Sequence, residues 1–226
     1  MSNTFYKKMA ILLPVYNEAP SIKALLTDIS NYGIKTLVVD DGSVDGSTTI
    51  LKEIGTDAIY FEKNRGKGYA LRKGFKRLLS EGYDWILIMD ADGQHLPEEI
   101  DKFVNKAMST DCDLISGNRL DNPEGMPPIR ILANKFMSWL VGKIAGVEVK
   151  DCQCGYKFLS ANFLRQAKLS ADHFEIEDDL LMEAIRLKCK IGYVSIKTVY
   201  KDEVSHINPI LDTIRFFSYL FKSKRS

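Results

Sequence analysis

The apolar run Trp85-Ile86-Leu87-Ile88-Met89 empties directly into Asp90-Ala91-Asp92-Gly93. Side chains alternate along an extended backbone, so Asp90 and Asp92 fall on one side, about 6–7 Å apart. Carboxylates that close repel each other unless a cation lies beside them. Hard divalent ions take such oxygen ligands, and Mg²⁺ or Mn²⁺ commonly joins carboxylates to substrate phosphates. Gln94 and His95 follow at once, each able to add a ligand. An isolated Asp-x-Asp is more often a strand end running into a solvated turn. Three further segments shift that balance. Pro14-Val15-Tyr16-Asn17-Glu18 closes one apolar run with a phenol, an amide and a carboxylate, and Asp40-Asp41-Gly42-Ser43 closes another, with Asp45 and Gly46 completing a tight turn. In Asn64-Arg65-Gly66-Lys67-Gly68 the glycines let backbone approach a ligand while Arg65 or Lys67 supplies positive charge.

The elements that must carry these residues alternate in type. Strand-like runs occupy Met9–Val15, Thr36–Asp40, Ala58–Phe61, Trp85–Met89 and Asp113–Gly117. Between them, Ser21–Tyr32, Lys67–Glu81 and Pro97–Ser109 place apolar residues at helical spacing. Gly33 stands as a stop after the first helix, and Pro97 holds a favoured first-turn position in the third. This order predicts an α/β fold with a mainly parallel sheet covered by helices on both faces. Ligands of such sheets bind beyond the carboxyl ends of the strands, where the four segments fall. After residue 117 the pattern loosens. Helices are expected at Ile129–Ala145, Ala161–Lys168 and Asp178–Lys188, strands at Lys157–Leu159 and Gly192–Val199, and an apolar, aromatic helix with a basic end at Pro209–Ser226.

Composition narrows the function classes. The 226 residues are 45% hydrophobic and 27% charged, with a net charge of +1, so nothing calls for nucleic acid as a partner. Cys112, Cys152, Cys154 and Cys189 form neither a CxxC pair nor a regular framework, and read as reduced, mostly buried thiols. No signal peptide or run of spanning length is visible, so a cytoplasmic protein is expected. There is no GxGxxG, and Gly42–Thr48 lacks the lysine of a Walker loop, which argues against an NAD enzyme and a P-loop NTPase. A nucleoside diphosphate carried with a metal suits the four segments best. Carboxylates at the first two strand ends can bond a base or ribose, and the Asp-x-Asp can hold the ion that neutralises a diphosphate leaving group.

These residues resemble those of family-2 glycosyltransferases with the GT-A-type nucleotide-sugar fold, and most closely the dolichol-phosphate mannosyltransferase branch, whose members move a sugar to a polyprenyl phosphate. The resemblance runs from Pro14 to His206. It implies that Pro14, Tyr16, Glu18, Val39 and Asp41 frame the base and ribose. Asp90, Ala91 and Asp92 would meet ribose and diphosphate, with Asp92 and Gln94 as ligands of Mg²⁺ or Mn²⁺. Gly117-Asn118-Arg119 is similar to the GxR motif, which implies Arg119 near the diphosphate or the acceptor phosphate. Asp151-Cys152-Gln153-Cys154-Gly155-Tyr156-Lys157 resembles the branch's D-x-x-C-G-[FY]-K signature, and Phe174-Glu175-Ile176-Glu177 the segment lining the donor sugar pocket. Residues 1–205 would form the transferase domain, 1–117 its nucleotide half and 118–205 its acceptor half, with 206–226 as an appended amphipathic helix.

Two departures stand out. Where the branch carries an arginine and a lysine that reach the phosphates, near the last strand, this chain has Glu203 and His206 in those acceptor-phosphate positions. A histidine can still donate to phosphate, but its charge depends on pH. No spanning helices follow, although many relatives carry them, so the lipid acceptor must be met another way. The expected reaction is a single displacement with inversion. A phosphate monoester acceptor is already anionic at pH 7 and needs no general base, leaving Arg119 and the ion to position it. A hydroxyl acceptor on a lipid or glycan would need a carboxylate base, for which Asp178, within Glu177-Asp178-Asp179, is the candidate; the same acids also suit a helix N-terminus. A non-catalytic nucleotide-sugar-binding scaffold is the alternative from another class. Apolar faces with flanking basic residues at Ile129–Ala145 and in the C-terminal helix suggest peripheral contact with the inner face of the membrane.

Overall fold

A computed structural model describes residues 2–173, 175–197 and 199. Seven strands among them form one sheet: β1 (Met9–Val15), β2 (Lys35–Asp40), β3 (Ala58–Tyr60), β4 (Trp85–Ile88), β5 (Leu114–Asn118), β6 (Lys157–Ser160) and β7 (Ile191–Ser195). Their order is β3-β2-β1-β4-β6-β5-β7. β6 runs antiparallel to both neighbours and every other pairing is parallel.

The apolar runs are continuous because the sheet is buried on both faces. From β1, Met9, Ile11 and Leu13 point one way, onto Ile22, Leu25 and Ile29 of α2 (Ile22–Ser30) and Ile100, Phe103 and Val104 of α5 (Ile100–Ser109). Ala10 and Leu12 point the other way, onto Ala70, Leu71 and Phe75 of α4 (Lys67–Ser80), with α7 (Ala161–Gln166) and α8 (Ile176–Arg186) completing that layer. The expected α/β architecture, helices on both faces, is the observed one. α6 (Pro128–Ala145) packs Met137 and Val141 in a third cluster with Val149, Cys152 and Leu181.

Several elements differ from expectation. α3 (Ser47–Ile54) was not anticipated; of its apolar side chains Leu51 is buried, too little to show as a periodic face. α1 (Ser2–Tyr6) was also unanticipated. α8 starts at Ile176, so Asp178 and Asp179 lie inside its first turn. β7 ends at Ser195 rather than at Val199. β4 ends at Ile88, and the chain bends through Ala91–Gly93, so strand alternation does not govern Asp90 and Asp92. Met137 of α6 is buried rather than on its outer face. Residues 200–226, with Glu203, His206 and the expected C-terminal helix, lie outside the described residues. Among the described residues no helix is long and apolar enough to cross a membrane.

Candidate active site

The loops beyond β1 and β2 are laced together by short polar side chains. Asn17 holds φ 60°, a left-handed conformation that asparagine tolerates. Its N–H donates to Ser43 Oγ (3.0 Å), while its Oδ1 accepts from the N–H of Val44 (2.9 Å). Glu18 N–H donates to Ser47 Oγ (2.8 Å) and Ala19 N–H to Asp45 Oδ2 (2.9 Å). Burial pushes the Asp45 carboxyl up, but the Ser47 hydroxyl and the surrounding N–H groups outweigh it and hold its pKa below the ordinary value. Asp40 accepts from Ser43 N–H (3.0 Å) and from the Thr48 hydroxyl. Tyr16, 44% exposed, and Glu18, whose Oε2 accepts from Ser21 Oγ (3.2 Å), are left on the rim of this frame.

Asp41 is buried at the end of β2 and is spent on the protein itself. Its two oxygens accept from the N–H groups of Arg65 (2.8 Å) and Gly66 (2.7 Å), which fixes the Asn64–Gly68 loop. Burial raises its pKa, against the pull of those two donors. A Cβ at Gly42, which holds φ 76°, would collide with the Lys63 backbone, so this turn admits only glycine. The loop glycines have a different reason than ligand approach. At Gly66, φ 96°, a Cβ would collide with the Asp172 carbonyl and the His173 ring, and at Gly68 with the Ala171 carbonyl. A strap, Ser170–His173, therefore crosses the start of α4. Asp172 O accepts from Tyr69 N–H (3.0 Å), and Arg72 bonds Ala171 O and Asp172. Asp179 holds the strap from beneath, accepting from the N–H groups of Ser170 (2.7 Å) and Ala171 (2.9 Å).

Lys67, leading α4, lies between two carboxylates: Nζ is 2.5 Å from Asp90 Oδ1 and 2.6 Å from Glu177 Oε1. Burial pushes the Asp90 carboxyl up, yet the Lys67 charge prevails and holds it well below the usual carboxylate range; the lysine is raised in turn. Gly155 presses on this pair, leaving no room for a Cβ beside Asp90 Oδ2. Glu177 Oε2 is buried with no hydrogen-bond partner among the described residues. His95 is buried, stacks on Tyr156 at 4.8 Å, and accepts through Nδ1 from the Asp90 N–H (2.9 Å). Burial lowers its pKa to about 4, so the ring is neutral with its proton on Nε2. Asp92 and Gln94 are half-buried in the bend, where Asp92 Oδ1 accepts from Gln94 N–H (2.8 Å). Ala91 offers its carbonyl to Ser21 Oγ (2.6 Å).

Arg119 follows β5 and is locked by Asp151. Nε and Nη2 each donate at 2.8 Å to the two carboxylate oxygens, and the Arg119 N–H adds a third bond at 3.1 Å. Arg119 and Asp151 are 7% and 1% exposed, so this is a desolvated bidentate pair. Burial raises the Asp151 carboxyl, but Arg119 outweighs it and the pKa falls below the ordinary value. Asp178 lies close enough to Cys152 for its charge, after burial, to help push that thiol up to about 12.

The sequence-predicted residues thus separate into groups. Lys67 and Asp90 are joined directly, with Glu177 as the third member. Val39 is fully buried in the layer under α4, supporting the site from below rather than facing it, and Pro14 pairs with it across β1 and β2. Asp151, quoted only as part of a motif, proves to be the orienting partner of Arg119. His95, read from sequence as able to add a ligand, is buried with Nδ1 already accepting from the Asp90 N–H. Among the described residues no three His, Cys, Asp or Glu side chains cluster as a metal cage.

A sheet in this order, with its acidic bend beyond the central strand β4, defines a GT-A glycosyltransferase fold. Among solved structures, glucosyl-3-phosphoglycerate synthase from Mycobacterium tuberculosis, in complex with Mn²⁺, UDP and glucosyl-3-phosphoglycerate, matches with a TM-score of 0.70 at 17% identity, over 92% of this chain and 75% of that one. The chain belongs to glycosyl transferase family 2, whose profile matches residues 10–164. It is 30% identical over 219 residues to the UDP-N-acetylglucosamine–dolichyl-phosphate N-acetylglucosaminyltransferase of Methanococcus voltae, covering 87% of each. It is 27% identical over 176 residues to the polyprenol monophosphomannose synthase of Mycolicibacterium smegmatis, 73% of this chain and 66% of that one.

Proposed function

We propose that this glycosyltransferase moves a sugar from a nucleoside-diphosphate sugar to a polyprenyl phosphate, at the cytoplasmic face of a membrane. The observation that carries the acceptor class is the likeness, over most of the chain, to one relative named for transfer to dolichyl phosphate and another named for making polyprenol monophosphomannose. The nucleotide half, residues 1–117, supplies the laced loops of β1 and β2 with Tyr16, Glu18 and Asp41. The acceptor half, residues 118–205, supplies Arg119.

The oxygen donors of the bend suit a hard divalent ion. Asp92 and Gln94 would hold Mg²⁺ or Mn²⁺, with the substrate's diphosphate completing its shell. Once bound, the ion offsets the charge of the departing nucleoside diphosphate. Lys67 keeps Asp90 ionised and fixed, its own charge offset by Asp90 and Glu177. Arg119 reaches the acceptor phosphate already paired with Asp151, so its main contribution is direction rather than net charge. The acceptor oxygen attacks the anomeric carbon as the carbon–oxygen bond to the diphosphate breaks, and the configuration inverts. No proton has to move.

A hydroxyl acceptor is the second reading, and one observation favours it: the buried, unpartnered Oε2 of Glu177. It lies beside Lys67 and Asp90, whereas Asp178, the base selected by sequence, lies near Cys152. NMR of the product separates these readings. A glycosyl phosphate of inverted anomeric configuration is expected, whereas retention, or a glycoside of a hydroxyl, contradicts the proposal.

A further inference from the structure

We propose that α6 docks the enzyme on anionic bilayers, its outer stripe entering the interface while an adjoining groove receives phospholipid headgroups. The proposal deepens the reading above and rests on it only for the lipid nature of the acceptor. Ile129, Leu132, Phe136 and Trp139 are 75%, 66%, 55% and 59% exposed. Their spacing places them on one side of the helix, and the Phe136 and Trp139 rings lie 6.0 Å apart. The opposite side is committed to the core through Asn134, Met137, Ser138 and Val141. α6 is thus apolar on two faces, and a contiguous exposed stripe of this size marks a surface that something covers.

A groove of about 620 Å³ runs beside the stripe, bounded by Trp139. Lys135, Lys143 and Lys150 line it, together with Asp121 and Glu148, so its charged lining is net positive by one. Lysines flanking an aromatic–aliphatic stripe complement anionic headgroups, with stems along apolar surface and ammonium groups at phosphate level. The groove also reaches Asn118, the residue before Arg119. A lipid phosphate held at this face would need only a short path to the locked arginine.

Vesicle flotation of the full chain tests this, using phosphatidylcholine alone and phosphatidylcholine with 30% phosphatidylglycerol. A Trp85→Phe background leaves Trp139 as the sole tryptophan. The expected result is binding at least tenfold tighter to anionic vesicles, weakened by 0.5 M salt, with a blue shift of Trp139 emission. Lys135→Glu/Lys143→Glu in the native-tryptophan chain should lose at least tenfold of that affinity, which keeps the test valid if Trp85→Phe fails to fold. Binding without a Trp139 shift, equal binding to both vesicles, or a dimer broken by Phe136→Ser would each overturn it. Turnover of a short, water-soluble prenyl phosphate without vesicles reports separately on the proposed reaction.

Discussion

The ammonium of Lys67 touches Asp90 and Glu177 at once, and all three side chains are largely withdrawn from water. Removing one partner of such a buried set leaves uncompensated charge, typically at a cost of about 3–5 kcal/mol. Lys67→Met should therefore lower unfolding free energy by about that much in urea titration, and turnover with it; near-native stability would mean that the carboxylates find other cations. Asp151 gives a pH test. Arg119 holds its folded pKa below the ordinary 3.8, so the unfolded chain takes up the proton first as pH falls. The stabilisation is complete above about pH 4 and is lost as pH drops through the lower folded value. Asp151→Asn should flatten stability against pH below 4, and leave Arg119 buried without its anion at every pH. An unchanged acid limb in denaturant titrations would contradict this. Candidate site residues could be named from sequence because acids and glycines at strand ends are few and chemically specific. Their partners were not: Lys67 meets Glu177, and Arg119 meets Asp151, only after the sheet assembles.

The strap Ser170–His173 shows how elements, rather than single residues, set this site. It closes over the start of α4 so tightly that Gly66 and Gly68 have no room for side chains. Gly66→Ala should combine a strained positive φ with collision against Asp172 and His173, costing about 1–3 kcal/mol. Hydrogen exchange should quicken across residues 170–173, and kcat/KM should fall as Lys67 shifts. Gly46→Ala, at φ 102° with open space around it, carries the strain alone and should leave the strap protected. Strands buried on both faces announced themselves as unbroken apolar runs. α3 did not, because it buries little beyond Leu51, and the bend at Ala91–Gly93 did not, because its course is set by Ser21, His95 and Gln94 rather than by strand alternation.

Across the whole molecule, the sheet gathers the carboxyl ends of β1, β2, β4 and β5 into one rim, although β6 enters antiparallel between β4 and β5. That insertion was illegible in sequence, since strand order and direction depend on pairings between distant segments. Lys157 illustrates the difficulty: a lysine in a short run suggests an edge, yet it is buried in β6 with Ser116 Oγ 3.2 Å away. The central claim, sugar transfer from a nucleoside diphosphate to a lipid phosphate, is reached most directly by one measurement. Purified protein with Mn²⁺ or Mg²⁺ is given GDP-mannose, UDP-glucose and UDP-GlcNAc in turn, with and without a short polyprenyl phosphate, beside Asp92→Ala. Release of nucleoside diphosphate that requires metal, rises with the lipid phosphate and falls at least a hundredfold in the variant is the expected result. Release indifferent to the lipid phosphate, release of pyrophosphate, or full activity in Asp92→Ala would contradict it.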